Sequence, residues 1–460
     1  MAPFFCYDGG QFHYETFFCA VSLDEGDAAG GGFLFAPGVV GEDGFEGNAG
    51  QVDPARVGGE VEAEDIFLFC GGIHGVKVGF VLLPENLDMA SEDFLARRLE
   101  ERRTNNALRV LRLPEGMVDL CSNDYLGMVT DGWIEKHWGD VMLPHGSMGS
   151  RLLAGNYPLA EEVEGLLASF HAAPAGLLFN SGYDANLGIL SSVPQRGDTI
   201  LYDELSHASI RDGMRLSFAR AFSFAHNDCG ELERRLRAVE GGTVFVVTES
   251  VFSMDGDMAP LAEMVELCRR YGAQLIVDEA HATGVVGPAG VGLVQALGLE
   301  GECFARVHTF GKAVGCHGAV VLGSELLKSY LVNFSRSFIY TTALPPSAVR
   351  AIAVAYGLLP SMDAQRSRLR ALIERFVAVS LPYQRIPSST PIQVVIIPGN
   401  DAVKRVAGVL QDAGLDVRPI LSPTVPAGSE RLRIVLHAFN TESDIDKISR
   451  LIAETGLLST

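Results

Sequence analysis

The sequence predicts an α/β protein with a mostly parallel sheet covered by helices in a large domain, followed by a smaller C-terminal α+β domain. From Tyr157 onward, short apolar runs alternate with segments of helical periodicity, a pattern typical of parallel strands joined by helices. After about Pro345 the pattern changes to long helical segments with two further apolar runs, which indicates a second domain. Functional loops are therefore expected at the carboxyl ends of the parallel strands.

The elements of the large domain follow one another in a regular order. A helix opens at Met89 with an acidic first turn, and a second begins with Pro158 and keeps its apolar residues on one face as far as Phe170. Apolar runs then predict six strands, at residues 176–179, 199–202, 243–248, 274–277, 306–310 and 317–322. Between several of them lie predicted helices, at residues 231–239 and 260–271.

The C-terminal domain is predicted to open with one long helical stretch over residues 347–379. Its further predicted elements are two strands and two helices, at residues 392–397, 402–413, 432–436 and 442–452. Together these segments predict a small α+β domain from residue 346 to 460.

The first 88 residues differ from the rest of the chain in composition. They carry 15 Asp and Glu against two basic residues, a net charge of −13, so the remaining 372 residues account for −8 of the total of −21. They also hold 17 of the 51 glycines and 11 of the 25 phenylalanines, without sustained helical or strand periodicity. We therefore predict that residues 1–88 are a disordered extension or lie outside the functional protein, which would begin near Met89.

Composition narrows the class of protein. A chain of 460 residues can bury the cores of two domains, and no apolar run approaches the roughly 20 residues of a membrane span. The net charge of −21 argues against nucleic acid or an anionic membrane as a partner. The eight cysteines form no CxxC pair, which favours reduced thiols in a cytoplasmic protein and supports neither zinc nor disulfides.

Two residues 34 positions apart suggest the chemistry. Asp278 ends an apolar run, and Lys312 lies in an apolar, glycine-flanked stretch. A pyridoxal phosphate (PLP) enzyme needs this pair, because the lysine forms a Schiff base with the cofactor and the carboxylate keeps the pyridine nitrogen protonated. Singly, Asp278 could cap a helix and Lys312 could be an ordinary surface lysine. Their combination favours PLP chemistry.

Lysine is scarce after Met89, which makes the choice of Lys312 specific. Lys312 has small or apolar neighbours on both sides, and a desolvated amine has a lowered pKa and is more often the free base. The other lysines lie in polar or amphipathic segments and are predicted to be solvated; they are Lys136, Lys328, Lys404 and Lys447.

Four further features fit around this pair. A strand runs into a helix at residues 177–186, where exposed N–H groups would bind a phosphate. His207 follows a strand end and could stack on a flat cofactor, although a helix-start histidine without a ligand is the simpler alternative. Polar residues 248–257 follow a buried strand, and Thr309 lies close enough to Lys312 to offer its hydroxyl to the phosphate.

These motifs resemble those of the α-oxoamine synthase family of fold-type I PLP-dependent transferases. The resemblance covers essentially all of residues 89–460. The matching segments are residues 120–127, 224–228, 249–257, 278–284, 309–312, 340–346 and 423–428.

The resemblance assigns cofactor roles by matching position. It implies that Lys312 forms the Schiff base, that Asp278 holds the pyridinium and that His207 stacks on the ring. Two groups complete the implied cofactor site: Ser253 and His281 at the phenolic oxygen, and Gly182, Tyr183 and Thr309 at the phosphate. Thr341 and Thr342 match a segment that reaches the cofactor phosphate of a neighbouring chain, so a homodimer with shared active sites is implied.

The resemblance also implies the substrate contacts. Arg109 and Thr424 match substrate-binding positions, and Arg433 matches the arginine that clamps the carboxylate of the amino acid. Some relatives have an arginine shortly before the 423–426 segment, where this chain has Leu421 and Ser422 with Arg418 nearby.

The implied reaction is the decarboxylative condensation of L-alanine with a pimeloyl thioester, carried by coenzyme A or acyl carrier protein. Branches that use glycine with an acetyl thioester, or serine with a palmitoyl thioester, stay open.

The implied domains are residues 89–135 for an N-terminal helix and substrate-contacting segment, 136–345 for the PLP-binding domain and 346–460 for the small domain. Two readings outside this chemistry are weaker: a dinucleotide loop at residues 284–290, which has an internal proline and no clear helix after it, and a non-catalytic PLP-fold module.

Overall fold

The computed structural model describes residues 92–111, Leu113 and 116–457, together with six short strands within residues 4–81. The chain divides into two compact units, Met1–Glu101 and Arg102–Thr460. The strands of the first unit are β1 (Phe4–Asp8), β2 (Gln11–Glu15), β3 (Cys19–Val21), β4 (Leu34–Phe35), β5 (Leu68–Ile73) and β6 (Val76–Val81).

Within the first unit all strand pairs are antiparallel. β1 pairs with β2, and a second sheet has the order β4-β3-β6-β5. No strands were predicted in this region, and most of the residues covered by our prediction for 1–88 lie outside the described part. The helix predicted from Met89 is observed as α1 (Asp93–Thr104), with Asp93 in its first turn and Arg102 and Arg103 in its last.

The second unit contains the predicted, mostly parallel sheet. Its seven strands have the order β10-β9-β11-β12-β13-β14-β8, and β14 alone among them runs antiparallel to its neighbours. The strands are β8 (Ala175–Phe179), β9 (Thr199–Asp203), β10 (Arg220–Phe224), β11 (Val244–Glu249), β12 (Gln274–Asp278), β13 (Ala305–Thr309) and β14 (Ala319–Gly323). The near-continuous burial of the strands other than β10 explains why these form apolar runs in the sequence.

Helices cover this sheet as predicted. In chain order they are α2 (Trp133–Lys136), α3 (Pro158–Phe170), α4 (Gly182–Ser192), α5 (Ala208–Leu216), α6 (Cys229–Arg237), α7 (Leu261–Tyr271), α8 (Leu293–Ala296), α9 (Glu325–Phe334) and α10 (Arg336–Ile339). α3 has the predicted bounds, and its buried residues lie on one face.

The C-terminal part forms a four-stranded antiparallel sheet, in the order β15-β16-β19-β18, with helices. Its elements are α11 (Pro346–Leu358), α12 (Asp363–Ala378), β15 (Arg385–Ile386), β16 (Ile392–Ile396), α13 (Asn400–Asp412), β17 (Leu415–Asp416), β18 (Arg418–Ile420), β19 (Arg431–Val435) and α14 (Glu442–Leu457). β17 pairs in parallel with β7 (Val118–Asp119) in a separate two-stranded sheet, which joins the start of the second unit to its C-terminal part.

The structure differs from the sequence prediction at two elements. The helical stretch predicted over residues 347–379 is divided into two helices by a 3₁₀ turn at Leu359–Ser361, because Pro360 has no N–H to donate to the helix. β10 was missed altogether, because it is an edge strand whose first three residues are exposed and therefore do not form an apolar run.

The buried core joins the two parts of the second unit. One cluster contains residues of the large sheet, such as Val320, together with residues of α11, α12, β16, β19 and α14. Among the described helices, none combines the length and apolarity needed to cross a bilayer. The five cysteines within residues 116–457 are free; they are Cys121, Cys229, Cys268, Cys303 and Cys316.

Candidate active site

Parallel strands deliver the polar residues of the site to one edge of the large sheet. β9 ends at Asp203, β11 at Glu249, β12 at Asp278 and β13 at Thr309. Glu249 and Asp278 are direct partners in the strand register. The predicted location of the functional loops, at the carboxyl ends of the strands, therefore holds for these side chains.

Asp278 is buried and its carboxylate is oriented from two sides. Its Oδ2 accepts a 2.7 Å hydrogen bond from Asn186 Nδ2, and its Oδ1 accepts a 2.9 Å bond from the backbone N–H of Ala280. Asn186 Nδ2 also donates to Ser209 Oγ over 3.0 Å. The carboxylate thus has a fixed direction, which a charge partner for a ring nitrogen requires.

His207 is connected to Asp278 through the same network. Ser209 lies beside His207 Nδ1, with its Oγ at 2.8 Å and its backbone N–H donating over 3.2 Å. Because Nδ1 accepts these bonds, we assign the proton of the neutral imidazole to Nε2. Desolvation, reinforced by the charge of Lys312, lowers the pKa of His207 despite the opposing influence of Asp278.

Lys312 lies in a tight loop directly after β13. Gly315 N–H donates to the Lys312 carbonyl over 2.8 Å, and a Cβ at Gly315 would lie 2.6 Å from Met128 Cγ, so this turn needs glycine. Desolvation lowers the pKa of Lys312 from 10.5 to about 8, although the carboxylates of Asp278 and Glu249 raise it. A larger fraction of this amine is therefore neutral near neutral pH than for a solvated lysine.

Glu249 is a second buried carboxyl group beside Asp278. Burial, with the neighbouring charge of Asp278, raises the pKa of Glu249 to about 8. Its Oε1 accepts the backbone N–H of His207 over 2.7 Å. With this raised pKa, the Glu249 carboxyl group is mostly protonated at neutral pH.

The start of α4 forms the predicted phosphate end of the site. Ser181 caps this helix by accepting the Asp184 N–H over 3.1 Å, and a Cβ at Gly182 would lie 2.4 Å from Thr309 Cγ2. Thr309 Oγ1 is buried and has no hydrogen-bond partner among the described residues. A helix N-terminus beside an unused hydroxyl suits a phosphate dianion.

The other residues predicted at the phosphate have partners within the chain. The Tyr183 hydroxyl donates to Asp212 Oδ2 over 2.5 Å, so only its backbone N–H would face a phosphate. Asn180 Nδ2 donates to Thr341 Oγ1 over 3.0 Å and to the Thr342 carbonyl over 2.8 Å. The 341–342 segment therefore lies beside the strand–helix turn that contains Gly182.

Arg433 connects several residues on the opposite side of the site. Its Nε donates to the Ser253 carbonyl over 2.6 Å, and its Nη2 donates to Asn123 Oδ1 over 3.0 Å. Tyr125 lies between Asn123 and His281, with its hydroxyl 3.1 Å from Asn123 Oδ1 and 2.6 Å from His281 Nδ1. Burial holds the pKa of His281 well below its usual value and raises that of Tyr125 to about 12.

The structure brings Arg109 and Thr424 together at the surface. Arg109 Nη2 donates to Thr424 Oγ1 over 3.2 Å, and both residues are exposed. Arg418 is committed elsewhere, because its Nε lies 2.6 Å from Asp416 Oδ1. Arg418 is therefore a poor substitute for the arginine that some relatives have before this loop.

The lysines predicted to be solvated are mostly not, and this prediction was wrong for three of them. Lys136 is exposed. Lys328 pairs with buried Glu164 over 2.9 Å, Lys404 donates to Asn106, and Lys447 donates to the Ala413 carbonyl. These three side chains are half-buried, because helix lysines can pack their stems while the amine finds a partner.

The sequence of this chain matches a known protein family. The sequence model of the family "aminotransferase class I and II" matches residues 115–452, which is well over half of the chain. The chain belongs to the aminotransferase class I and II family.

Relatives place this aminotransferase-family chain near the α-oxoamine synthases, as the motifs predicted. It is 44% identical over 387 residues to 8-amino-7-oxononanoate synthase from Emericella nidulans, covering 78% of this chain and 93% of the relative. A serine palmitoyltransferase from S. paucimobilis, solved with a bound PLP–myriocin adduct, superimposes with a TM-score of 0.71 at 30% identity, covering 80% and 97% of the two chains. An 8-amino-7-oxononanoate synthase from Francisella tularensis superimposes with a TM-score of 0.62 at 28% identity, covering 75% and 99%.

The site of this aminotransferase-family chain fits PLP by its own chemistry. A lysine of lowered pKa, a buried oriented carboxylate and an unpartnered hydroxyl at a helix N-terminus are the three groups that the cofactor would need. They are Lys312, Asp278 and Thr309. The alternative dinucleotide loop at residues 284–290 gains no support, since it ends in a three-residue 3₁₀ turn at Pro288–Gly290.

Several contacts in the site were not anticipated from the sequence. Asn186 and Ser209 connect Asp278 to His207, and Asn123 and Tyr125 connect Arg433 to His281. All four lie inside segments that were recognised as motifs, so the signal was their density of polar residues. Each of the four also has a partner 23 to 310 positions away, which a local pattern does not reveal.

Proposed function

We propose that this chain catalyses the PLP-dependent decarboxylative condensation of L-alanine with a pimeloyl thioester. The products are 8-amino-7-oxononanoate, CO2 and the free thiol carrier, and the reaction is a step of biotin biosynthesis. The observation that carries the proposal is the 44% identity to an 8-amino-7-oxononanoate synthase over nearly its whole length, combined with the Lys312–Asp278 pair at one sheet edge. The reaction forms a bond between the α-carbon of alanine and the acyl carbon, breaks the C–S bond and releases the alanine carboxyl group as CO2.

The residues at the sheet edge would divide the work. When bound, PLP supplies an aldehyde for the lysine and a ring that accepts electrons from the α-carbon of the amino acid. Lys312 Nζ would hold the cofactor and then take the α-proton of alanine, which its lowered pKa favours. Asp278 would face the ring nitrogen, and the neutral His207 imidazole would stack on the ring.

Arg433 is proposed to bind the carboxylate of alanine. A guanidinium has five N–H donors in a planar fork, and Ser253 and Asn123 accept from its Nε and Nη2. These two bonds would fix the plane of the fork, and they leave Nη1 for a carboxylate. Arg109 and Thr424 are proposed to contact the acyl donor at the surface.

The condensation of serine with a palmitoyl thioester is the second candidate, and one observation favours it. Among the solved structures compared, serine palmitoyltransferase superimposes with the higher TM-score, 0.71 against 0.62. Backbone similarity reports the shared fold, whereas substrate choice depends on the side chains that line the site. We therefore give more weight to the 44% identity with the oxononanoate synthase than to the difference in TM-score.

A substrate matrix distinguishes the candidates. We expect the purified chain to prefer L-alanine with pimeloyl-coenzyme A over glycine with acetyl-coenzyme A and serine with palmitoyl-coenzyme A, measured as release of thiol and CO2. A pocket discriminates one methyl group by only about 1–3 kcal/mol, so glycine is expected to react slowly with the pimeloyl donor. A preference for serine with the palmitoyl donor would assign the chain to the second candidate.

The lowered pKa of Lys312 predicts a pH dependence of cofactor attachment. Only the neutral amine can attack the aldehyde, so the rate at which the cofactor-free protein incorporates PLP should rise with pH and level off above about 8. A stopped-flow absorbance series between pH 6 and pH 10 measures this. A rate that keeps rising towards the ordinary lysine value of 10.5 would show that the amine is not desolvated.

We propose that the enzyme is a cytoplasmic homodimer with shared active sites. One support is the 341–342 segment, which matches a segment that reaches a neighbouring chain in the family. The other is a set of large apolar side chains that are exposed in the single chain: Tyr340 is 72% exposed, Met142 95% and Met148 90%. The free cysteines of the described part are compatible with a reducing compartment. Coenzyme A and acyl carrier protein are both proposed as carriers, and comparison of the two donors in the same assay would separate them.

We propose that catalysis resides in residues 89–460 and does not require residues 1–88. The family match begins at residue 115, and the described polar contacts of the site involve residues from Arg109 onward. Within this part, residues 89–135 and 346–460 are proposed to supply the substrate contacts, and residues 136–345 the cofactor contacts. The substrate assay applied to a chain that starts at Met89 tests this, because loss of activity would contradict it.

A further inference from the structure

Hydrogen bonds hold both ends of the loop that carries Thr424 beside the start of α13. At its beginning, Ser422 N–H donates to Asn400 Oδ1 over 3.0 Å. At its end, the N–H groups of Gly428 and Gly399 both donate to Glu430 Oε2, over 2.9 and 2.8 Å. The first turn of α13 therefore sets where residues 422–428 lie.

The segment that carries Arg109 is fastened to the same turn. Asn400 Nδ2 donates to the Asn105 carbonyl over 3.2 Å, and the Lys404 amine donates to the carbonyl and side-chain oxygens of Asn106. Asn106 Nδ2 in turn donates to Asp401 Oδ1. One half-buried side chain, Asn400, thus bonds to both segments.

Arg109 and Thr424 depend on this connection because burial does not fix them. Both are exposed, and the hydrogen bond between them is 3.2 Å long. The hydrogen bond of an exposed pair contributes little free energy, and holding the two side chains together costs side-chain entropy. The distance between Arg109 and Thr424 is therefore set by the backbone segments that contain them.

We propose that Asn400 is a positioning residue for the acyl-thioester side of the active site, acting through Arg109 and Thr424. This inference rests on the proposed function of those two residues. Lys404 supports it from the next turn of α13 by holding Asn106.

The amino-acid side of the site is held by different bonds. Arg433 is fixed by Ser253 and Asn123, and Asp278 by Asn186 and Ala280. None of these bonds passes through Asn400. Loss of the Asn400 side chain should therefore affect the thioester and leave L-alanine binding unchanged.

Two variants with a control on the same helix test the proposal. We expect Asn400→Ala to raise KM for pimeloyl-coenzyme A about tenfold, and Lys404→Ala to raise it by a smaller factor, since each lost hydrogen bond has a modest net effect. The dissociation constant of L-alanine, measured by spectral titration of the PLP-loaded enzyme, should stay within about twofold of the parent. Arg405→Ala, an exposed change on α13, should alter neither quantity.

Asn400→Asp separates positioning from simple loss of stability. It keeps an acceptor for Ser422 N–H but loses the donor to the Asn105 and Ser422 carbonyls, so KM for the thioester should still rise while the melting temperature stays near that of the parent. A KM for pimeloyl-coenzyme A within about twofold of the parent in Asn400→Ala, or an equal rise in the L-alanine dissociation constant, would overturn the proposal. A parent enzyme that uses neither pimeloyl-coenzyme A nor a pimeloyl thioester of acyl carrier protein would instead contradict the proposed function.

Discussion

Lys312→Ala is expected to abolish turnover while the protein still folds. The amine of Lys312 has a pKa lowered to about 8 by its desolvated position, and the amines of the other described lysines after Met89 bond elsewhere or are exposed. Without Lys312 the enzyme loses both the covalent attachment of PLP and the base that takes the α-proton. We expect a loss of at least about 10⁴-fold in kcat, measured as CO2 release.

Borohydride reduction provides a readout that does not depend on activity. Treatment of the PLP-loaded parent should leave the cofactor covalently bound to the peptide that contains Lys312, detected by mass spectrometry. The same treatment of Lys312→Ala should leave no labelled peptide. Lys136→Ala, which removes an exposed lysine, is the matched control and should behave as the parent in both assays. Near-normal turnover in Lys312→Ala would remove the central assignment.

Asp278→Asn is expected to retain PLP but lose most activity, by about 10²–10⁴-fold in kcat. The substitution preserves shape, and its amide can still accept the hydrogen bond from Asn186 or that from Ala280. The neutral amide cannot hold a positive charge on the ring nitrogen, so the ring becomes a poorer electron acceptor. Single-turnover kinetics with L-alanine should show slow removal of the α-proton with little change in the dissociation constant for alanine.

The neighbouring carboxyl group provides the matched control for this prediction. Glu249 has a pKa of about 8 and is mostly protonated at pH 7, so Glu249→Gln replaces one neutral group by another and keeps an oxygen for the His207 N–H. We expect a loss of less than about tenfold. Equal rates in Asp278→Asn and the parent, or a larger loss in Glu249→Gln than in Asp278→Asn, would show that the roles of the two carboxyl groups are misassigned.

The carboxyl groups of Glu249 and Asp278 show which features of the site a sequence pattern can predict and which it cannot. Both Glu249 and Asp278 end apolar runs, and both motifs were recognised as polar residues at strand ends. Their opposition in the strand register was not visible from the sequence, because pairing between strands is decided by the whole sheet. Burial raises the pKa of Glu249, and this opposition adds the charge of Asp278, so that the pKa reaches about 8.

The sequence by itself determined the features that depend on local pattern. Apolar runs located β8, β9, β11, β12, β13 and β14 to within one to two residues, because buried parallel strands are apolar on both faces. Lys312 and Asp278 stood out because the combination of an aspartate at a strand end with a lysine in an apolar stretch is informative without knowledge of the fold. Pro360 also carried a local signal, and the break between α11 and α12 could have been predicted from it.

The tertiary structure alone decided which residues meet. The connection from Asp278 through Asn186 and Ser209 to His207, and the bonds of Asn400 to the segments of Arg109 and Thr424, join positions up to 295 apart in the chain. Hydrogen bonds and electrostatic shifts depend on distances of a few ångströms, and local periodicity contains no information on such distances. For that reason the sequence could single out Lys312 as the candidate Schiff-base lysine, whereas the residues that orient the neighbouring groups became visible only in the folded chain.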